Sequence, residues 1–116
     1  MTGEEINHIE LPARDIEGSK QFFSDAFGWR FVDYGPDYAA FEDAGIDGGF
    51  FSSDLTARTD SGSALVVLYS QDLEATQARV EEAGGKIVKA IFSFPGGRRF
   101  HFCDPSDNEY AVWSEN

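Results

Sequence analysis

An internal repeat is the sequence feature that most constrains the fold. Segments 8–28 (HIELPARDIEGSKQFFSDAFG) and 65–85 (LVVLYSQDLEATQARVEEAGG) align without a gap at an offset of 57 residues. Segments 41–51 and 102–112 align at an offset of 61, which predicts a four-residue insertion in the second copy, near FPGGRR. The chain is therefore predicted to contain two copies of one unit, 1–54 and 64–116, with the polar segment 54–63 between them.

Each copy has the pattern of a strand, a helix and three further strands. Residues 5–11 alternate as a strand does, and Asp15 is a natural N-cap for the helix that follows. Gly28 and its counterpart Gly85 are expected to end the two helices. The apolar helical faces predicted to pack in the core are Ile16, Phe23, Ala26 and Phe27 in the first copy, and Leu73, Ala75, Val80 and Ala83 in the second.

Composition limits the classes of partner. The 116 residues suffice for one domain, and 21 acidic against 9 basic residues give a formal charge of −12. This charge repels nucleic acid phosphates and anionic lipid, so neither partner is expected. The charge indicates either a solvated surface or attraction of a cationic ligand. No stretch is apolar enough to span a membrane, and Cys103 is the single cysteine, so we expect a cytoplasmic protein without disulfides.

Three stretches, HIELPARDIEGSKQFF, DAFGW and FHFCDPSDNEYAVW, resemble the vicinal oxygen chelate superfamily, also called the glyoxalase/bleomycin resistance/dioxygenase superfamily. The resemblance implies an α+β fold of two βαβββ modules whose sheets curl into a half-open barrel. It also implies a homodimer with a ligand in the concave cavity. The functions of the superfamily run from isomerases to dioxygenases to drug-sequestering proteins.

The resemblance also implies where a divalent metal ion would be held, and His8 occupies the ligand position in the first strand. The repeat offsets carry the other three ligand positions to Phe50, Leu65 and Ala111, none of which has a donor atom in its side chain. A single imidazole holds a metal poorly, so we expect no catalytic metal. A displaced cluster of His8, Glu10, His101 and Glu109 remains as an alternative, with Ni, Zn, Mn or Fe as the metal.

Strand alternation predicts which side chains line the cavity. His8 and Glu10 share one face of the first strand, and Arg99 and His101 share one face near the end of the chain. The wall is predicted to consist of His8, Glu10, Arg99, His101 and Glu109 among Phe50, Leu65, Val67, Tyr69 and Trp113. Phe100, Phe102, Tyr110 and Val112 would then pack against the helices.

Two further segments have open interpretations. His101 and Glu109 are candidates for a general acid and base, or for a buried pair with Arg99 that only rigidifies the sheet. Segment 94–102 is either a β-hairpin whose arginines pair with surface acids, or a lid whose arginine meets an anionic ligand group. Cys103 is expected to be a small apolar filler.

Two hypotheses follow. The first is a metal-free binding module in which aromatic side chains (Trp29, Phe50, Phe51, Tyr69 and Trp113) hold a small organic ligand, oriented by His8, Glu10, His101 and Glu109. The second is a metal-dependent lyase, isomerase or dioxygenase that acts on a small molecule with vicinal oxygens. Its candidate catalytic residues are His8, His101 and Glu109.

Overall fold

Each half of the chain folds as a strand, a helix and three further strands in the computed structural model, which describes residues 3–116. The first half contains β1 (His8–Ala13), α1 (Ile16–Phe27), β2 (Arg30–Asp33), β3 (Tyr38–Glu42) and β4 (Asp47–Ser52). The second half contains β5 (Val66–Tyr69), α2 (Leu73–Glu82), β6 (Lys86–Phe94), β7 (Gly97–Cys103) and β8 (Glu109–Ser114). Residues 1–2 of the predicted unit 1–54 lie outside the described residues.

The strands form two four-stranded mixed sheets, ordered β1-β4-β3-β2 and β5-β8-β7-β6, and neither sheet closes on itself. In each sheet the first strand runs parallel to the last, and the other pairs are antiparallel. Pro12 is tolerated in β1 because this strand lies at a sheet edge. The predicted α+β fold of two βαβββ modules is confirmed.

The helix boundaries agree with the predicted caps except at one glycine. The Asp15 carboxylate accepts a hydrogen bond from Gly18 N at 3.0 Å, and Gly28 ends α1 in the left-handed conformation. In the second half Gly84, with φ +103°, takes that conformation instead of the predicted Gly85. Gly85 is needed for packing, because a Cβ there would lie 2.6 Å from Val80 Cγ1.

Aromatic packing against α1 joins the two sheets. Phe23 stacks on Trp29 at a ring-centroid distance of 4.6 Å and on Phe50 at 5.4 Å, and it meets Tyr110 edge-on at 5.3 Å. Phe22, which the predicted apolar face omitted, is 2% exposed and lies 5.9 Å from Phe102. The helices thus cover one face of each sheet, here called the inner face, and the opposite face is called the open face.

The inner face of the second sheet carries the side chains predicted for it. Phe100, Phe102, Tyr110 and Val112 are fully buried and belong to the same core cluster as Phe22 and Phe23. Burying side chains of this size contributes roughly 1.5–3 kcal/mol each. The hydrophobic effect therefore fixes which face of β7 and β8 meets the helices, and with it which side chains remain on the open face.

The turn between β7 and β8 links both halves through buried hydrogen bonds. The Asp104 carboxylate accepts from Ser106 N at 2.9 Å, Asn108 N at 3.0 Å and the Tyr110 hydroxyl at 2.7 Å. Asn108 Nδ2 donates to the carbonyl of Pro12 in β1 at 2.6 Å, and its Oδ1 accepts from Ala57 N at 2.8 Å. One fully buried amide therefore connects the turn, the first strand and the segment between the halves.

No helix among residues 3–116 has the length and apolarity needed to cross a bilayer.

Replacing Asn108 by alanine should lower the free energy of unfolding by about 2–4 kcal/mol, because the buried Pro12 carbonyl and the part-buried Ala57 N–H both lose the side-chain amide as their partner. Urea denaturation of both proteins measures the difference. Asn7→Ala is the matched control, since Asn7 is exposed. A loss for Asn108→Ala no larger than that of the control would show that the amide does not hold the halves together.

Candidate functional site

His8, Glu10 and Tyr38 form a hydrogen-bonded cluster on the open face of the first sheet. His8 Nε2 lies 3.1 Å from Glu10 Oε2, and the Tyr38 hydroxyl donates to the same oxygen at 3.2 Å. Burial and the neighbouring Glu10 carboxylate raise the pKa of Tyr38, which keeps the phenol protonated as a donor. The side chains of His8 and Glu10 are 47% and 52% exposed, so their ion pair adds at most about 1 kcal/mol.

The register of the strands corrects one of the metal-ligand positions expected from the resemblance. Glu10 pairs with Gly49 in the first sheet, and the corresponding Val67 pairs with Ala111 in the second. The counterpart of Ala111 is therefore Gly49 and not Phe50. The cause is the turn before β8, which has one residue more than the turn before β4. A slip of one residue moves a side chain to the other face of a sheet.

This correction leaves the expected metal site with one donor. His8 occupies the first position, while Gly49, Leu65 and Ala111 have no donor atom in their side chains. Within residues 3–116 no group of three or more His, Cys, Asp or Glu side chains converges. His8 and Glu10 thus form one pair and His101 and Glu109 another, and the displaced four-residue cluster is not assembled. These residues do not fit a divalent metal, which needs several converging donors.

Phe50 belongs to the core instead of the predicted cavity wall, whereas Trp29 belongs to the core and also borders a cleft. Phe50 is fully buried on the inner face of the first sheet, between Phe23 and Phe41. Trp29 is 8% exposed and packs between the same two side chains. Phe51, the neighbour of Phe50 on the opposite face, is partly exposed.

His101 and Glu109 form a buried pair on the open face of the second sheet. His101 Nδ1 lies 2.9 Å from Glu109 Oε2, and the two side chains are 3% and 5% exposed. Thr59 donates to Glu109 Oε1 from its backbone N–H at 2.9 Å and from its hydroxyl at 2.7 Å. Burial by itself raises the pKa of Glu109, but the hydrogen bonds from His101 and Thr59 outweigh it and lower the pKa to about 2.

The segment between the two sheets covers this pair. Ala57 accepts a hydrogen bond from Glu109 N at 2.8 Å, and Arg58 Nη1 lies 3.0 Å from Cys103 Sγ. The polar connector predicted for residues 54–63 is therefore packed on the open face at the Glu109 end of β8. Because Glu109 is ionised and covered there, its geometry supports the buried-pair interpretation, although the pair is joined by Thr59 and not by Arg99.

Arg99 and Trp113 lie farther along the same open face, where the connector does not cover it. The Arg99 guanidinium carbon lies 5.3 Å from the centroid of the Phe92 ring and 5.5 Å from that of Phe94. Trp113 meets Tyr69 edge-on at 5.0 Å. A pocket of about 300 Å³ here is lined by Val67, Phe94, Gly96, Arg99 and Trp113. We call these five residues together with Tyr69 the aromatic wall.

A larger cleft of about 540 Å³ separates β1 from β5. Its lining is mostly apolar, and Arg79 is its one charged group. Val67 and Tyr69 belong both to this cleft and to the aromatic wall, so the two surfaces are continuous. The apolar side chains that β1 and β5 contribute to the cleft are Ile9, Leu11, Val66, Val67 and Leu68.

The two arginines of segment 94–102 have different environments. Arg98 points to the helix side and forms an ion pair with Glu74 of α2, at 2.6 Å. Arg99 points to the open face. Pro95 and Gly96 form the short turn of the β6–β7 hairpin, so the hairpin interpretation describes the local structure. Cys103 is buried, and burial raises the pKa of its thiol, which agrees with a filler role.

Two contacts of these clusters were missed from the sequence. Tyr38 reaches His8 and Glu10 across the intervening strand β4, and Gly49 of β4, which lies under its ring, is the local signal that a large side chain crosses there. Thr59 binds Glu109 from a segment without hydrophobic periodicity. No local pattern marks Thr59, because its position depends on the buried Asn108 contact with Ala57.

A sequence model described as the Glyoxalase/Bleomycin resistance protein/Dioxygenase superfamily matches residues 5–112. The chain belongs to this superfamily, as the sequence motifs indicated. It is 29% identical to a glyoxylase-like domain-containing protein of Didymella fabae, an alignment that covers 93% of this chain and 91% of the relative.

Solved structures share the fold at low sequence identity. A glyoxalase-related enzyme from Fulvimarina pelagi superposes with a TM-score of 0.79 at 18% identity, over 96% of this chain and 88% of the other. TnmS3, an antibiotic binding protein from Streptomyces sp. CB03234, superposes with a TM-score of 0.70 at 20% identity, over 98% of each chain. Structural similarity thus includes both an enzyme and a binding protein.

Divalent metal should not stabilise the protein. We expect Ni²⁺, Zn²⁺, Mn²⁺ or Fe²⁺ to shift the thermal unfolding midpoint of tag-free protein by less than about 2 °C, because two donors hold a metal too weakly to stabilise the folded state. The measurement is thermal unfolding with each ion, with metal analysis of the purified protein. Stoichiometric metal that is lost in His8→Ala would contradict this.

The His101–Glu109 pair should make the free energy of unfolding depend on pH in the acidic range. The folded-state pKa of Glu109 is about 2 against an ordinary value of 4.5, so the carboxylate stabilises the fold above that ordinary value. Its contribution is lost as the pH falls through the folded value. We expect the free energy of unfolding, measured by urea denaturation between about pH 6 and about pH 3, to decrease less for Glu109→Gln than for wild type as the pH falls. Glu4→Gln, at an exposed glutamate, is the control, and an equal flattening there would contradict the assignment.

Proposed function

We propose that this protein binds a small organic ligand in a concave cavity between its sheets, without a catalytic metal. The observation that carries the proposal is the aromatic wall, which stays accessible where the rest of the open face of the second sheet is covered. Tyr69 and Val67 are 47% and 44% exposed, although both are large apolar side chains. Exposed apolar side chains that cluster beside a pocket are typical of a binding surface.

The shape and chemistry of the surroundings support the same proposal. The cleft of about 540 Å³ falls in the size range of sites for small ligands and adjoins the wall through Val67 and Tyr69. Polar groups that orient a ligand would come from Arg99 and from the His8–Glu10–Tyr38 cluster. His101 and Glu109 contribute by holding β7 and β8 in register and less by direct contact, because the connector covers them.

The alternative of a metal-dependent lyase, isomerase or dioxygenase has less support. It needs a donor set that residues 3–116 do not bring together. The antibiotic binding protein among the structural neighbours gives a precedent for ligand binding on this fold. The superfamily that matches the chain also includes bleomycin resistance proteins.

A homodimer and a cytoplasmic location complete the proposal. Val32 and Tyr34, in and just after β2, are 38% and 66% exposed. Covering them with a second copy would remove apolar surface from water.

The first test uses phenylnaphthylamine, an uncharged aromatic probe whose fluorescence rises in apolar surroundings. We expect saturable binding with one site per chain. Trp113→Ala should weaken binding about fivefold to tenfold, because a large aromatic contact of the wall is lost. Fluorescence titration of the folded proteins measures both.

Tyr34→Ala is the matched control, because it removes an exposed aromatic side chain outside the wall. It should change the affinity less than twofold. Equal losses for the two variants, or no saturable binding to wild type, would contradict the proposed function. Thermal unfolding of each variant confirms that the comparison is made between folded proteins.

A further inference from the structure

Arg99 is the arginine whose side chain has no hydrogen-bond or ion-pair partner among residues 3–116. Of the six arginines, Arg14, Arg30, Arg58 and Arg98 form ion pairs with acidic side chains. Arg79 donates to the carbonyl of Ala26 and to a threonine hydroxyl. The backbone of Arg99 pairs within the sheet. In a chain with 21 acidic residues an unpaired arginine is unexpected from composition alone.

Part of the Arg99 guanidinium is also removed from water. Within the described residues, Arg99 Nε and His101 Nε2 are the two buried side-chain nitrogen or oxygen atoms that lack a hydrogen-bond partner. They belong to side chains two residues apart on the open face of β7. A buried donor without an acceptor destabilises the folded state, and a charged one does so more strongly. An arriving acceptor that reaches Nε would remove this cost.

The neighbouring rings contact the guanidinium without pairing with it. Phe92 and Phe94 lie 5.3 and 5.5 Å from the guanidinium carbon, within the range of cation–π attraction. Neither ring offers an oxygen or nitrogen acceptor to its N–H groups. The Glu115 carboxylate accepts a hydrogen bond from the hydroxyl of Tyr69, a residue of the aromatic wall, at 3.2 Å. It lies beyond ion-pair distance of Arg99.

The rest of the pocket lining is apolar. Val67 and Trp113 line the same volume of about 300 Å³ as Arg99, and Trp113 is the cross-strand neighbour of Arg99. A ligand that fills this pocket therefore meets a cation without an ion-pair partner among residues 3–116 beside an apolar and aromatic surface. Guanidinium groups bind carboxylates and other oxyanions through two parallel hydrogen bonds, a geometry that an ammonium cannot reproduce.

We propose that Arg99 binds the anionic group of the ligand, so that the ligand class is an amphipathic organic anion with an aromatic or apolar ring. The proposal rests on the proposed ligand-binding function and adds the charge of the ligand to it. It differs from the cationic ligand that the acidic composition had suggested. The anion is a carboxylate, sulfonate or phosphonate, which share the paired oxygen atoms that the guanidinium edge fits.

Two probes that differ in one group test the proposal. Anilinonaphthalene sulfonate has the ring system of phenylnaphthylamine with one sulfonate added, so the ratio of their affinities isolates the contribution of the anion. We expect wild type to bind the sulfonate at least about tenfold more tightly than the uncharged probe. This ratio corresponds to the lower end of the free energy that one charge-assisted hydrogen bond contributes.

Arg99→Gln and Arg98→Gln form a matched pair of variants. Each removes one positive charge from adjacent positions of β7, but Arg98 lies on the other face and is paired with Glu74. Arg99→Gln should abolish the preference for the sulfonate, which is measured as the ratio of the affinities of the two probes for the same variant. Arg98→Gln should leave both affinities within twofold of wild type. Arg99→Lys should recover only part of the preference, because its ammonium lacks the planar pair of donors.

The outcomes separate the two proposals. If the uncharged probe binds to the wall and the sulfonate binds no better, the inference about Arg99 fails while the proposed function stands. Equal effects of Arg99→Gln and Arg98→Gln on the sulfonate would also overturn the inference, because net charge alone would explain them. If neither probe binds, the proposed function fails. Thermal unfolding of each variant ensures that no affinity is measured on an unfolded chain.

Discussion

The buried hydrogen bonds of Asp104 and Asn108 determine how the two repeated units are joined. Two βαβββ units could pack in several ways, but one amide binds the end of β1, the connector and the turn before β8 at once. Asp104 holds that amide in place. Burial raises the pKa of its carboxyl, and the hydrogen bonds from Tyr110, Asn108 and Ser106 act in the opposite direction. Desolvation thus disfavours the ionised carboxylate, and those bonds offset part of the cost.

The path of the connector follows from this junction and decides where a ligand can bind. Once Ala57 is tied to Asn108, the next residues pass over Glu109 and Cys103. One end of the open face of the second sheet is thereby closed, with an ionised Glu109 beneath. The other end keeps its aromatic side chains exposed. The path of the connector therefore determines which part of the open face is covered and which part is accessible. Residue types alone do not predict that path.

The comparison between sequence and structure shows which inferences depend on the repeat and which do not. The offset of 57 predicted two helices because the capping aspartates Asp15 and Asp72 act locally. The offset of 61 failed in the last strands because the turn 104–108 contains one extra residue, and this placed Phe50 on the wrong face. Arg99 and His101 lie on one face of β7, as alternation within a single strand predicts. Thr59 and Tyr38 depend on tertiary contacts, for which the sequence has no periodic signal.

An anionic ligand is compatible with a protein of net charge −12 because attraction to Arg99 and repulsion from the acidic surface act over different distances. Exposed charges more than a Debye length apart, about 8 Å at physiological salt, are largely screened from one another. A group in the pocket at the aromatic wall interacts first with the guanidinium beside it, where Phe92, Phe94 and Trp113 exclude part of the water and strengthen the local attraction. The acidic surface then lowers the association rate of an anion more than it lowers the stability of the bound state. In the proposed site, Arg99 and its aromatic neighbours would therefore select an amphipathic anion, whereas the net charge describes the rest of the surface.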